Sequence, residues 1–472
     1  MQGQKIIVFE LNEVPYRIMD DYCKKYPKSH LSKLLNSSRQ YETYAEEPGV
    51  LTPTKTWPTV HRGVNYSKHG IESFGQPLDE VDQEFPPLWE LAASNGLKTG
   101  VFGSLLTHEM PKSLENYAFY VPEVFANEAS THPSYLSSFQ GFNLAMSRAS
   151  ARNVSKKIDW SSAREFVTKS FDLGLTLRTS LDIGGQLISE QLNSHHKTRR
   201  RTYQSTLGFD IFMKQLQIFK PDLVTFFTNH VAATMHRYWA ASFPNDYSDF
   251  QLLPTWVSTF RDEIDFAMHK TDEMLARLVN FVNQNSEYAL YVITSMGQAA
   301  FQAKPTKAFL TIADLPKFMA RLGVEASEYE QRPAMAPHYS VVVTPNKLDR
   351  LRDRSSKLMM NGKPIEFRER EDGFFHIDFM YQGYQGPASV ELDGVKISFA
   401  EIGIVNTEHE DGVYLTADHI PQGVMLIYNL KQTTSNRERT QISTLDITPS
   451  ILDNFSISIP DYMNRTPNLI AA

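Results

Sequence analysis

At 472 residues, with 41% apolar and 21% charged side chains, the chain has room for one large α/β core with insertions, or for two or three smaller domains. A net charge of -7 lacks the basic footprint that general nucleic-acid binding needs. The single cysteine, Cys23, excludes an internal disulfide and suits a reducing compartment. No signal-peptide pattern is visible and no apolar run reaches membrane-spanning length, so the sequence reads as soluble and cytoplasmic.

In chain order, residues 5–11 form a short apolar run that predicts a central, buried strand. Residues 28–36 predict a short helix. A second helix is expected at 86–95, with prolines at its start and Gly96 just past its end, and a strand at 98–102 follows it. Residues 134–218 are helical in pattern and hold the basic run His195–Arg201, read as a solvated face with anion binding as its alternative. Strands are expected at 223–227 and 288–294, with a long helix at 256–284 between them. Residues 338–412 alternate in short segments, as at Phe374–Phe379, and read as a β-rich insertion or cap. A strand at 423–428 and a helix at 446–455 complete the pattern. The strand–helix–strand rhythm predicts an α/β fold: a doubly wound, mostly parallel sheet with helices on both faces. Its core would comprise 1–133, 219–337 and 413–472, carrying a helical insertion at 134–218 and the β-rich cap at 338–412.

The segment richest in chemistry is 51–63, followed by Lys68-His69-Gly70-Ile71. Thr56 precedes Trp57 and Pro58, an order that suits a tight turn entering a helix. A hydroxyl at a helix N-terminus lies where backbone N–H groups and the helix dipole favour an anion. Thr56 there can accept a phosphoryl group if a metal or base eases its deprotonation. The plainer alternative is that Thr56 is only an N-cap. Of the neighbouring histidines, His61 is taken as a substrate contact and His69 as structural.

The run Thr56-Trp57-Pro58-Thr59 with His69-Gly70-Ile71 resembles the nucleophile loop of the alkaline phosphatase superfamily, in its type I phosphodiesterase and nucleotide pyrophosphatase branch. The segments at 86–103, Phe119–Pro122 and Thr444–Leu452, and the ending Ile459-Pro460 with Arg465, look similar in the same way. The resemblance implies Thr56 as nucleophile and a two-metal site of Asp and His ligands. Several of those ligands are replaced. Asn12 stands where the first Asp is expected, with Glu10 matching if the alignment shifts by two. Ala232 stands four residues before His236 in place of an Asp. Ser295 and Met296 occupy an Asp-His position. His419 matches the last His, in the setting His419-Ile420-Pro421-Gln422-Gly423.

The resemblance therefore implies at most one divalent ion, zinc or manganese, at His236 and His419 with Asn12. Asn229, His230, Asp418 or water would complete it, and no nucleotide or flavin cofactor is implied. The alternative is no metal, with the histidines bonding a substrate phosphate directly. His61, His230 and Asn229 are the expected substrate contacts, and Met235 and Met296 read as packing residues. Three functions stay open. The first is a phosphoester hydrolase or phosphodiesterase acting on a small phosphate-bearing or glycan substrate. The second is a pseudoenzyme that keeps an anion pocket. The third is a phosphoryl or glycosyl-phosphate transferase.

Overall fold

Strand β1 (Lys5–Leu11) is buried along nearly its whole length, as expected of a strand covered on both faces. Its alternation divides the core: Ile7, Phe9 and Leu11 join one apolar cluster, Ile6 and Val8 another. The chain is described by a computed structural model covering residues 3–150, 160–248, 252–302, 306–335, 337–370, 373–379, 381–412, 415–431 and 435–463. Residues 151–159 of the expected helical insertion, and Arg465, lie outside the described residues.

The remaining strands that matter here are β2 (Arg39–Tyr44), β3 (Thr99–Phe102), β4 (Tyr117–Val121), β5 (Leu223–Thr228), β6 (Tyr288–Ile293), β7 (Gly297–Ala300), β8 (Ala417–Ile420), β9 (Gln422–Asn429) and β10 (Asn436–Ser443). Eight of them form one sheet in the order β10-β2-β9-β6-β1-β5-β3-β4. Every neighbouring pair is parallel except those made by β9, which runs against both β2 and β6. The fold is thus α/β with a mostly parallel central sheet, as the strand–helix rhythm predicts. β7 and β8 pair separately as an antiparallel ribbon.

Five helices frame the argument: α1 (Pro53–Arg62), α2 (Leu177–Leu192), α3 (Arg200–Phe219), α4 (His230–Ser242) and α5 (Glu263–Gln284). α1 has Pro53 in its first turn and ends at Gly63, whose φ of 62° is the left-handed geometry glycine adopts without strain. Its Trp57 and Val60 pack with Ile6 and Val8. On the opposite face Phe209 and Phe212 of α3, Met235 and Trp239 of α4, and Leu275 and Leu278 of α5 pack with Phe9.

Three expected boundaries shift. The long helix expected at 256–284 is two helices, Pro254–Phe260 and α5, separated at Arg261 and Asp262. α3, expected within a helical insertion, covers the sheet itself, because Phe209, Ile211, Phe212 and Leu216 are fully buried against it. The β-rich region has its own apolar cluster reaching from Leu310 to Ile404, so it begins ahead of the expected 338. The basic run is ion-paired: Arg199 meets Glu263 at 2.7 Å and Arg200 meets Glu190 at 2.6 Å. No helix among the described residues is long and apolar enough to cross a membrane.

Candidate functional site

Parallel α/β sheets collect functional side chains where strands end and loops diverge. Here β6, β1 and β5 are adjacent and parallel. Just beyond their C-terminal ends come Ser295, the pair Asn12-Glu13, and Asn229. α4 leaves β5 and carries His236. The β7–β8 ribbon brings His419 opposite Gln298.

Glu13 is the hub. It is 2% exposed. His236 Nε2 lies 3.0 Å from its Oε2, and His419 Nε2 lies 3.3 Å from the same oxygen. Asn12 Nδ2 donates to Oε1 at 2.7 Å, and the Gln298 amide also donates to the carboxylate. Both imidazoles are oriented from behind: His236 Nδ1 bonds the Ala417 carbonyl at 2.7 Å and His419 Nδ1 bonds the Leu51 carbonyl at 2.9 Å. Since a carbonyl only accepts, each Nδ1 carries the hydrogen, and each Nε2 is turned toward Glu13 with a lone pair unless a proton or cation lies between. The two rings meet edge to face at 5.1 Å.

The electrostatics follow from this convergence. Burial alone would raise the Glu13 pKa, but the charges of His419 and His236 beside it prevail and hold it well below the ordinary value of 4.5. Burial alone would lower the His419 pKa, yet the Glu13 charge, with help from Asp418 and the Leu51 carbonyl, raises it above 6.5.

Glu13, His236 and His419 fit a divalent cation. Their ligand atoms lie within 4.8 Å of one another. Tetrahedral zinc with bonds of about 2.0–2.2 Å places neighbouring donor atoms roughly 3.3–3.5 Å apart, close to the 3.0 and 3.3 Å between the two Nε2 atoms and Glu13 Oε2. His419 Nε2 is a buried atom that makes no hydrogen bond, and the carbonyls behind both rings supply the outer support usual for metal-ligating histidines.

Thr56 is joined to this hub through α1. The Trp57 indole donates to Asn12 Oδ1 at 2.7 Å, and Asn12 in turn donates to Glu13 and to Asn229 Oδ1. Thr56 is not the N-cap, which is Thr52; it is the fourth residue of the helix. Thr56 is 1% exposed, and its hydroxyl bonds Ser295 Oγ at 2.8 Å and the Thr52 carbonyl at 3.2 Å. Asn12, Thr56, His236 and His419 therefore belong to one bonded neighbourhood. Asn12, expected as a ligand, spends its carbonyl on Trp57, and Glu13 is the residue that faces the histidines.

The expected substrate contacts sit differently. His61 is 2% exposed and bonds Glu10 at 2.8 Å, with Trp57 and Trp89 against its ring. His230 bonds Thr228 Oγ1 at 2.6 Å and Thr271 Oγ1 at 3.1 Å, and burial lowers its pKa to about 4. Both are enclosed by protein, so neither reaches a ligand without rearrangement. Asn229 is exposed, beside Asn12. His69 accepts from the Ile71 N–H at 3.0 Å and contacts Thr59 at 3.1 Å, and burial lowers its pKa to about 3, a structural role as expected. Ala232, Ser295 and Met296 are buried, and Met296 packs as expected. Glu13 and Gln298 were missed in the sequence. The available signal was a carboxylate two residues beyond a buried strand, beside the already suspect Asn12.

No protein-family model matches this chain, and no curated protein matches it. Among solved structures, murine ectonucleotide pyrophosphatase/phosphodiesterase 5 is similar over 98% of each chain, at 11% identity and a TM-score of 0.40. Its human counterpart is similar over 98% of this chain and 97% of its own, at 11% identity and a TM-score of 0.38. At those scores the likeness says nothing about the site, which rests on its own geometry.

Proposed function

We propose that the chain is a phosphoester hydrolase of phosphodiesterase type, acting in the cytoplasm on a small phosphate-bearing substrate. Its one cation site would be Glu13, His236 and His419, and its nucleophile Thr56. The observation that carries this reading is the convergence of a buried carboxylate and two histidines, each imidazole held from behind by a backbone carbonyl. A zinc or manganese ion bound there supplies positive charge to a phosphoryl oxygen.

The protein's own groups would do the rest. Glu13 fixes both Nε2 atoms and supplies the negative charge that Asn12 lacks. Asn12 and Trp57 tie that hub to α1. Ser295 would orient the Thr56 hydroxyl for attack at phosphorus: the Thr–phosphate bond forms as the ester P–O bond breaks, the hydroxyl proton leaves with the departing alcohol, and water then cleaves the Thr–phosphate bond, restoring the threonine hydroxyl and releasing the phosphate product. Transfer to an acceptor other than water would make the same site a transferase.

One observation favours the pseudoenzyme as a second reading. Thr56 is enclosed and its hydroxyl is bonded on two sides, so a substrate reaches it only if neighbouring groups move.

The test combines elemental analysis of purified protein with turnover of bis-p-nitrophenyl phosphate, p-nitrophenyl phosphate and nucleotide-sugars in added zinc or manganese. One ion per chain, lost in His236→Ala and His419→Ala along with turnover, is the expected result. Bound metal without turnover, together with melting-temperature shifts from phosphate ligands, selects the pseudoenzyme. Absence of both metal and turnover overturns the site.

A further inference from the structure

In α2 the ordinary distribution of side chains is inverted. A surface helix normally buries its apolar stripe and exposes its polar face. Here Thr179, Gln186 and Glu190 are buried. Gln186 donates to the His196 carbonyl at 2.7 Å, and Glu190 pairs with Arg200. The apolar stripe points outward: Leu177 is 67% exposed, Leu181 68%, Ile188 65% and Leu192 85%.

The stripe is also symmetric in sequence. Leu177 and Leu192, Leu181 and Ile188, and Gly184 and Gly185 are placed evenly about one midpoint. Their spacing follows the helical period, so they share a face over roughly 22 Å at 1.5 Å per residue. A Cβ added at Gly184 or Gly185 would meet nothing within 4 Å among the described residues, so the middle of the face is backbone on which another helix can approach closely.

A two-fold axis through that midpoint sets an antiparallel copy of α2 on the first, with Leu177 against Leu192 of the other copy and Leu181 against Ile188. Such self-matching is what an isologous interface requires. The four large side chains, each 65–85% exposed, offer on the order of 500 Å² of apolar surface. A standard interface buries about 800 Å² per partner, of which about 65% is apolar in homodimers, so the stripe is of the right size. The charge pattern argues against an anionic membrane. Basic residues should border a membrane-surface helix. Here Arg178 is paired with Glu273 at 2.7 Å, Asp182 stands beside Leu181, and the whole chain carries -7.

We propose that α2 is a homodimerisation surface, on which two copies of this chain pair antiparallel through Leu177, Leu181, Ile188 and Leu192 about Gly184–Gly185. Sedimentation velocity of the full chain across the micromolar range tests it. The wild type should sediment as a dimer. Leu181→Lys and Ile188→Glu alone should each give monomers with an unchanged melting temperature at low concentration, because both positions are exposed. Leu181→Lys combined with Ile188→Glu should restore the dimer, since each new lysine then faces the other copy's new glutamate. Leu192→Lys, at the stripe's end, should weaken the dimer if either central variant fails to fold. A wild-type monomer throughout the range overturns the proposal, as do single variants that remain dimeric. A double variant that stays monomeric overturns the antiparallel register on which the proposal stands. A monomer that co-sediments with phosphatidylcholine–phosphatidylserine vesicles overturns it in favour of a membrane.

Discussion

The two halves of the site use their polar atoms in opposite ways. Around Glu13, every group converges on one carboxylate, and a buried His419 nitrogen is left without a hydrogen bond. Around Ser295, the atoms are spent: Ser295 and Thr56 bond each other, Met296 fills space, and Ala232 offers only its carbonyl, to Gln298. The difference teaches that a cation site is marked less by how many ligand-type residues are present than by whether their donor atoms are turned to a common point with nothing else to satisfy them. By that measure the Glu13 half has one group that could hold an ion and the Ser295 half has none among the described residues.

The strongest way to break this comparison is at Thr56, the proposed nucleophile, whose hydroxyl bonds Ser295 in the neutral half. Thr56→Ala should lower phosphodiester turnover by on the order of 10⁴-fold or more, as loss of a covalent nucleophile does. Thermal melting should shift little, because only a hydroxyl bonded to Ser295 and a helix carbonyl is lost. Equal rates for wild type and variant would end its role as nucleophile.

Next in size is Glu13→Gln. In the metal-free protein it removes the charge that both histidines face, and breaking a buried pair from one side costs about 3–5 kcal/mol. Urea unfolding of chelator-treated wild type and variant measures this, and elemental analysis of the untreated variant should find no stoichiometric zinc. A variant that keeps its metal would show that the ligands lie elsewhere.

The neutral half can be rebuilt. Ser295→Asp with Met296→His should add a second ion per chain, at a stability cost of about 1–3 kcal/mol for placing polar groups in a buried setting. Unchanged stoichiometry in a folded variant would mean that the surrounding packing no longer leaves room for a cation.

The smallest effect is in pH. The folded pKa of Glu13 is depressed, so its contribution is present above about 4.5 and is lost as pH falls through the lower folded value. His419 is raised, so its contribution is present below about 6.5 and is lost as pH rises through the higher folded value. Chelator-treated protein should therefore gain most from this pair between those two pH values. Glu13→Gln should flatten that maximum. A wild-type profile that matches the variant's would show that the pair does not couple.

The sheet was largely legible in the sequence, because buried parallel strands such as β1 and β6 are nearly continuous apolar runs. What escaped was set by tertiary contact. The apolar pattern of β9 fits either direction, and its antiparallel course depends on its neighbours β2 and β6. The helical pattern of α3 does not say that its phenylalanines face the sheet rather than a separate insertion. At the site, Thr56, His236 and His419 stood out by spacing and resemblance. Glu13 did not, since nothing in a linear pattern shows that β8, far along the chain, returns to set His419 against it. His61 and His230 looked available because proximity in sequence to the loop and to β5 carries no information about burial.

Glu13 has a backbone φ of 60°, a left-handed conformation that costs an L-residue about 1–2 kcal/mol and that glycine adopts freely. The backbone at this position and the chemistry of the site therefore have opposed preferences. Once His236 and His419 are both replaced by alanine, Glu13→Gly should raise the melting temperature. Any engineering campaign that rewards thermal stability alone would therefore drift toward erasing the carboxylate once both histidines are lost, and a variant library from this chain needs a metal-binding or activity screen running beside the heat challenge.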